Sequence, residues 1–490
     1  MSVIVILVVP LLATLLICVP LGRRWVAAVT VVSSVVDLML ITQLAGEVVS
    51  GSGSVELLVP AWHKWIAVDG LSALILLLIG LIATTAAIYS VGYMAQRDLT
   101  AKKLRLYHVN YNLFVFSMLA IPVLAEPTLV WIVVELTTLC SALLVSFENT
   151  REALEAAWKY VVLSLMGAGV ALLGFMVLFA ALHAGGGETY TWMGLERAAP
   201  KMPAILLQTA FLLILIGLGT KVGLVPMHTW LPDAHSQAPS SVCALLSGIE
   251  TTSILYVILR LFPLMQAVPG AHADVWALVL GLISVGTAAF LLLQVKDYKR
   301  LFAFSTVEHM GILLTAIGLG GSAAGYGAMQ QIVSHSVTKS FCFFAAGATL
   351  LATGTREIAA VRGLIRRSPV AGAALLLGGL AIAGAPPLAV FLSEFTILKA
   401  GLDRGQYLAT GLLAMFIVIA FFGVMAHVNR MVFAPAEERS PATEGSATLR
   451  LPFSCRLALF LAAVPVLGLG VYIPKPLHDL LTLAAAAVSR

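Results

Sequence analysis

Charge is scarce in this 490-residue sequence: Asp, Glu, Lys and Arg make up 11% of it, against 60% hydrophobic residues. So little polar surface excludes a water-soluble globule, and apolar runs of the roughly 20 residues that span a bilayer follow one another from end to end. Paired cysteines are also missing. Cys18, Cys140, Cys243, Cys342 and Cys455 stand singly with no CxxC, so nothing indicates a disulfide framework, a zinc site or an iron–sulfur cluster. There is no glycine fingerprint opening a helix after a strand and no extended basic domain, which makes nucleotides and nucleic acids poor candidates for direct ligands. No cofactor is expected. The first apolar run, Ser2 to Pro20, lacks the basic residues that precede a secretory signal. Arg23 and Arg24 follow it instead, and it reads as a retained first helix.

What is there is hydrophobic periodicity on the scale of a membrane. The runs predict an all-α polytopic membrane protein of about fourteen transmembrane helices. Connections such as 46–65, 184–202 and 431–450 are too short to be domains, so 1–490 is expected to be a single membrane domain. Cations test that reading. One side of the predicted bilayer collects Arg23, Arg24, Arg97, Lys102, Lys103, Arg105, Arg151, Lys296, Lys299, Arg300, Arg356, Arg362, Arg366, Arg367, Arg430, Arg439, Arg450 and Arg456. The other has only Lys64, Arg197, Lys201, Arg260, Arg404, Lys475 and Arg490. By the positive-inside rule both termini face the non-cytoplasmic side of the cell (inner) membrane. Lys159, Lys221, Lys339 and Lys399 belong to neither side, although Lys399 lies near a helix end from which it can snorkel.

A buried membrane cation costs about 2.5–3.5 kcal/mol on insertion scales, so each such lysine is a functional hypothesis. Acids and imidazoles join them inside apolar runs: Glu135, Glu250, Glu308, His309, His335 and Glu394. His335 and Lys339 are four residues apart and share one helix face. Two runs are broken by glycine and proline, at Gly223–Pro226 and Gly384–Pro387. The order acid, long helix with lysine, broken helix occurs twice. Paired broken helices mark repeat-built transporters, and an odd five-helix unit repeated in tandem must invert. The sequence therefore predicts N-terminal helices 1–3 over 1–98, a first repeat of helices 4–8 over 99–263, an inverted second repeat of helices 9–13 over 274–430, and a loop with helix 14 over 431–490. Helices 7 and 12 are the broken ones.

Protons cross a membrane by hopping between groups whose affinity for them can be driven across neutrality. Desolvation does this for lysine and glutamate, and histidine sits near neutrality already. Glu135, Lys221, His309, His335, Lys339 and Glu394 are the expected relay, with Glu250, Glu308 and Lys159 as secondary candidates. Glu135 beside Lys221 is read as the switch that loads and unloads the lysine. The breaks free backbone groups and admit water. Single buried ions also serve as helix-pairing glue, but so many groups of both signs along the whole chain exceed that need. Arg151, Glu148, Glu152 and Glu155 lie at a connection and read as a solvated interface. His228, Asp233 and His235 match metal ligands by type, yet they sit on a proline-rich turn that favours capping, and no metal site is expected.

The strings KVGLVPMHTWLPDAHSQAP, KDYKRLFAFSTVEHMG, HSVTKSF and PPLAVFLSEF resemble the antiporter-like proton-channel subunits of complex I, multisubunit cation/proton antiporters and group 4 hydrogenases. TREALEAAWKYVVL and SVCALLSG look closest to the component F type of hydrogenase-4 and formate hydrogenlyase. The resemblance implies that Glu135 and Lys221 are the fifth- and seventh-helix pair, His309 and His335 the histidines of helices ten and eleven, Lys339 the lysine that follows, and Glu394 the terminal proton site. It also implies a connecting lysine in helix eight where this chain has Thr252, leaving water or Glu250 to bridge Lys221 and His335. The chain ends soon after its fourteenth predicted span, unlike the distal complex I type with its long lateral helix. The implied function is proton translocation within a hydrogenase-like complex, with other membrane subunits and a peripheral iron–sulfur redox arm as partners. A subunit exchanging cations such as sodium for protons, or a non-conducting scaffold, is the alternative.

Overall fold

The computed structural model describes residues 2–19, 22–51, 54–56, 65–435 and 451–488. Lys64, Arg439, Arg450 and Arg490 of the charge balance lie outside these. The chain opens with α1 (Ser2–Cys18), α2 (Arg23–Ser50), α3 (Gly70–Ala95), α4 (Ala101–Ala120), α5 (Pro127–Val145), α6 (Arg151–Ala184) and the short α7 (Trp192–Ala198). Next come α8 (Ala204–Val222), α9 (Trp230–Gln237), α10 (Ser240–Leu245), a π-turn at Leu246–Glu250, α11 (Thr251–Leu259) and α12 (Phe262–Gln266). The remainder is α13 (Ala273–Leu292), α14 (Tyr298–Leu319), α15 (Ser322–Thr353), α16 (Leu364–Arg367), α17 (Pro369–Ile382), α18 (Ala389–Asp403), α19 (Tyr407–Phe433), α20 (Phe453–Gly468) and α21 (Lys475–Ala486).

Polar residues just ahead of the apolar runs start many of these helices. Asp69 accepts from the Ser72 amide at 2.9 Å, Thr100 from Lys103 and Thr150 from Ala153 at 3.2 Å each, satisfying amides that the first helical turn leaves open. Among the described residues ten helices are long and apolar enough to cross a membrane. Of the other expected spans, α1, α17 and α20 are shorter apolar helices. α4 turns its polar residues, Tyr107, His108, Asn110, Tyr111 and Asn112, inward.

The breaks fall where glycine and proline place them. α8 ends at Gly223 (φ +87°), and α17 gives way to α18 across Gly384 (φ +74°); both take the left-handed conformation that glycine alone adopts freely. The segment from α10 through α12 is the axis of the molecule, its apolar stretch wholly buried, whereas α2, α6 and α19 are mostly peripheral. Loop contacts define two rims. One is joined by Arg23 bonding the Leu99 carbonyl, Arg97 with Glu148, and Asp233 with Lys159 and Arg300. The other is joined by Arg260 with Asp69, Gln208 with the Gly270 carbonyl (2.6 Å) and Gln406 with the Leu319 carbonyl (3.1 Å).

Two features correct the expected layout. Ser54–Glu56 pairs antiparallel with Ala67–Asp69, so the fold carries a small two-stranded ribbon. Beyond α20 the chain forms α21, whose Leu480 and Leu481 are buried while Lys475 stays exposed. Its amphipathic spacing lets it lie against α3, where Leu483 touches Gly70.

Candidate functional site

Lys221 is the penultimate residue of α8, two residues before the break at Gly223, and is 2% exposed. Its ammonium donates to the Val134 carbonyl at 2.5 Å, to Thr137 Oγ1 at 2.6 Å and to Thr138 Oγ1. Those three oxygens, all from α5, use all three donors of the ammonium. The carboxylate beside it is Glu250, with Oε1 at 3.7 Å. Tyr160 of α6 donates to the same oxygen at 2.9 Å and is bonded in turn to Ser141 at 2.8 Å. Glu135, expected to pair with Lys221, is half-buried on α5 and neither of its oxygens has a hydrogen-bond partner. Val134, Thr137 and Thr138 share the face of α5 that meets α8; Glu135, at the edge of that face, lies in electrostatic range of Lys221 without a direct contact.

Glu250 closes the π-turn of the axial helix, and the same turn reaches the second half of the molecule. Ser247 Oγ bonds Thr306 Oγ1 of α14 at 2.6 Å, and the Ser247 carbonyl accepts from His335 Nε2 of α15 at 3.1 Å. In a regular α-helix residues three apart share a face; the wider π-turn spreads them, so Glu250 addresses α8 while Ser247 addresses α14 and α15. Thr252, where the resemblance implies a lysine, has a buried hydroxyl without a partner among the described residues, as have Ser253, Ser336 and Thr338.

Beyond the turn the predicted residues gather. The His335 and His309 rings lie 5.1 Å apart. His309 Nε2 donates to the carbonyl of Ile382, the last residue of α17, at 3.1 Å, and its Nδ1 accepts from Gln331 Nε2 at 2.9 Å. Gln331 Oε1 accepts from Ser393, the residue before Glu394. Both histidines therefore carry the hydrogen on Nε2, and the buried His335 Nδ1 is left as an open acceptor. Lys339 donates to the Phe302 carbonyl and to Ser305 Oγ at 2.5 Å each. Glu308 lies in electrostatic range of Lys339 and Glu394, and Glu394 is held against Gly384, where a Cβ would meet its Oε2.

Lys159 is elsewhere. Half-exposed at one rim, it pairs with Glu155 at 2.7 Å and Asp233 at 3.2 Å, because it lies close to the start of α6 and reaches the rim carboxylates. His235 Nδ1 bonds the Leu231 carbonyl at 2.8 Å. Thr137, Thr138, Tyr160, Ser247, Gln331 and Ser393 complete the line without having been predicted. Only Gln331 left a signal, standing four residues before His335 on the face that also carries Lys339.

At the outer end of the axial helix, Arg260 forms a two-pronged pair with Asp69, with one contact at 2.7 Å. Burial opposes ionisation of Asp69, but Arg260 outweighs it and holds the carboxyl below its ordinary value.

Residues 125–422 match the family model described as NADH:quinone oxidoreductase/Mrp antiporter, transmembrane, and residues 65–102 match that of the complex I chain 5 N-terminus. The hydrogenase-4 component F homolog of Methylacidiphilum infernorum is 37% identical over 416 residues, covering 83% of this chain and 85% of that relative. A chain of the membrane-bound sulfane sulfur reductase, an archaeal respiratory membrane complex, superposes with a TM-score of 0.87 at 21% identity over 99% of this chain and 97% of its own. A chain of the Mrp complex from Dietzia sp. gives 0.86 at 21% identity over 100% and 97%; at that identity both likenesses speak for the fold. Family match, close relative and fold agree: the chain belongs to the NADH:quinone oxidoreductase/Mrp antiporter family of multi-pass membrane proteins.

Proposed function

We propose that this chain is the proton-translocating membrane subunit of a redox-driven complex of the group 4 hydrogenase or formate hydrogenlyase kind. It would be seated in the cell (inner) membrane with both termini outside and driven by partners that carry the iron–sulfur chemistry. The observation that carries this reading is the axial π-turn, which links the buried Lys221–Glu250 pair to the His335–His309 pair. Two inverted five-helix repeats, 99–263 and 274–430, would each supply a half-channel, with 1–98 and 431–490 flanking them in one membrane domain.

In the first half-channel Lys221 holds the proton. Three oxygens of α5 and the Glu250 carboxylate stabilise its charge, so a shift of α5 weakens the cage and releases it. Glu135, on the same helix and free of hydrogen bonds, is carried with that shift. A proton leaving Lys221 passes to Glu250 or Tyr160 and onward to the open Nδ1 of His335; the unpartnered hydroxyls of Thr252, Ser253 and Thr338 are the polar lining along which water bridges that step. His309, Lys339 and Glu308 then serve Glu394, which sits beside the break between α17 and α18 where freed backbone groups admit solvent. Lys159 remains a rim residue in this scheme and takes no part.

The test is isolation of the intact complex in mild detergent, identification of its subunits by mass spectrometry, and reconstitution in vesicles. Nickel–iron and iron–sulfur subunits are expected to accompany the chain. Lys221→Ala and Glu394→Gln are each expected to cut turnover-coupled proton movement roughly 100-fold, the scale on which a positioned proton-transfer group acts. Unchanged coupling in both variants would sink the relay.

A further inference from the structure

A polar stripe runs along α2, a helix outside both proposed half-channels. Thr30, Ser33, Ser34 and Asp37 follow the i, i+3, i+4, i+7 spacing that places them on one face, and all four are buried. Asp37 lies near the middle of this 28-residue helix, is 1% exposed, and has no hydrogen-bond partner for either carboxyl oxygen among the described residues. α3 seals the face there: Thr84 donates to the Ser34 carbonyl at 2.9 Å, and Gly80 brings the backbone close to Leu38.

α4 adds an imidazole. His108 Nδ1 and Asn112 Nδ2 each meet Thr30 Oγ1 at 3.0 Å, while the buried His108 Nε2 has no partner among the described residues. Thr30 and Asp37 are two turns apart, about 10 Å along the axis. A cavity of about 520 Å³ connects this group to the surface, with exposed Arg23 and Arg24 and the partly exposed Arg97 at its rim and Val31, Ser90 and His108 at its deep end.

We propose that Asp37 is a proton-storage site, filled from the cavity between α2, α3 and α4 by way of His108. An ionised carboxylate with neither a cation nor a donor beside it is not sustainable in hydrocarbon. The arginines of α2 are about 20 Å away along the helix axis, so the neutral acid is the form that fits. Among the described residues the elements packed against α2 supply no competing partner: Arg105 of α4, its buried Nε without a hydrogen bond, stands one turn nearer the Arg23–Leu99 rim than His108 and so farther from Asp37. α1 has no ionisable group before Cys18, and Tyr89 of α3 donates to the Phe344 carbonyl. On α4, Tyr107 bonds Ser90 and Ser241, and Tyr111 donates to the Ala83 carbonyl. His478 and Asp479 of α21 lie toward the other end of α2, with His478 bonded to Tyr326. His108 is the ionisable side chain tied to the stripe. A proton arriving from the cavity at one ring nitrogen leaves from the other, and the Thr30 and Ser33 hydroxyls carry it to Asp37, which holds it as the neutral carboxylic acid and exchanges it by the same path.

This site shares no residue with the relay, and its test reads no transport. Infrared difference spectra of the full-length protein in lipid vesicles, recorded on transfer from water to deuterium oxide, are expected to show a protonated-carboxyl C=O band that shifts as the proton exchanges. Asp37→Asn should remove that band. Should that variant fail to fold, Asp37→Glu should move the band by changing its surroundings. His108→Phe should keep the band and slow its exchange roughly 100-fold, the scale of a positioned proton carrier. A spectrum unaltered by Asp37→Asn or Asp37→Glu, or exchange as fast in His108→Phe as in the wild type, overturns the proposal.

Discussion

The Lys221 ammonium is held by five groups from three helices: Val134, Thr137 and Thr138 of α5, the Glu250 carboxylate, and, through Glu250, Tyr160 of α6. Removing one member of a buried ion pair leaves an uncompensated charge, worth about 3–5 kcal/mol, whereas replacing both by apolar groups is often neutral. Glu250→Ala is therefore expected to lower stability by about 3–5 kcal/mol, and Lys221→Met combined with Glu250→Leu to recover most of it. Thermal unfolding of the purified variants measures both. Glu135→Gln should cost less than either single loss, since neither Glu135 oxygen holds a hydrogen bond. The burial of Lys221 among polar groups was legible in the sequence, because a lysine amid apolar residues needs a reason. The carboxylate in direct contact with it was not. Glu135 and Glu250 are both acids in apolar runs, and which one meets the lysine depends on how the axial helix is rotated against α8, a tertiary property with no local signature. Asp37 and His108 leave no sequence signal for a similar reason: single polar residues in α2 and α4 become a group only when the two helices are set side by side.

At the scale of elements, the helix breaks were the readable part. GLVP and GAPP contain the residues that end helices, and Gly223 and Gly384 both take positive φ. The two breaks differ in what surrounds them. A Cβ on Gly223 would meet the flexible end of Leu231, whereas one on Gly384 would meet the Glu394 carboxyl. Ala in a left-handed conformation costs about 1–2 kcal/mol, so Gly223→Ala and Gly384→Ala should lose comparable stability from the backbone alone. Only Gly384→Ala should also displace the terminal carboxyl and lower coupled proton movement beyond what stability explains. Proton uptake by reconstituted vesicles, normalised to folded protein, separates the two; equal uptake in both variants would count against Glu394 as the terminal site. The π-turn at Leu246–Glu250 was not readable, since LSGIE has no glycine or proline pattern that distinguishes it from an ordinary helical turn. Its wider winding is set by the need to satisfy α8 on one side and α14 and α15 on the other.

For the whole molecule, the charge asymmetry of the loops underlies a proposed orientation that the fold makes measurable. The cation-rich rim carries Arg23, Arg97, Lys159, Arg300 and Arg356, tied across loops by Glu148, Asp233 and Asp297. In the proposed orientation, which rests on the positive-inside rule, this rim faces the cytoplasm. Cys18 is the last residue of α1, next to that rim, and is exposed, while Cys140, Cys243, Cys342 and Cys455 are all buried. The native chain therefore holds one accessible thiol, placed to report the side on which α1 ends. A maleimide that does not cross membranes is expected to label inverted vesicles, and to label right-side-out spheroplasts only after permeabilisation. Cys18→Ser should abolish the signal in both, which assigns it to this residue. Labelling of intact spheroplasts would place the basic rim outside and reverse the proposed orientation of both half-channels.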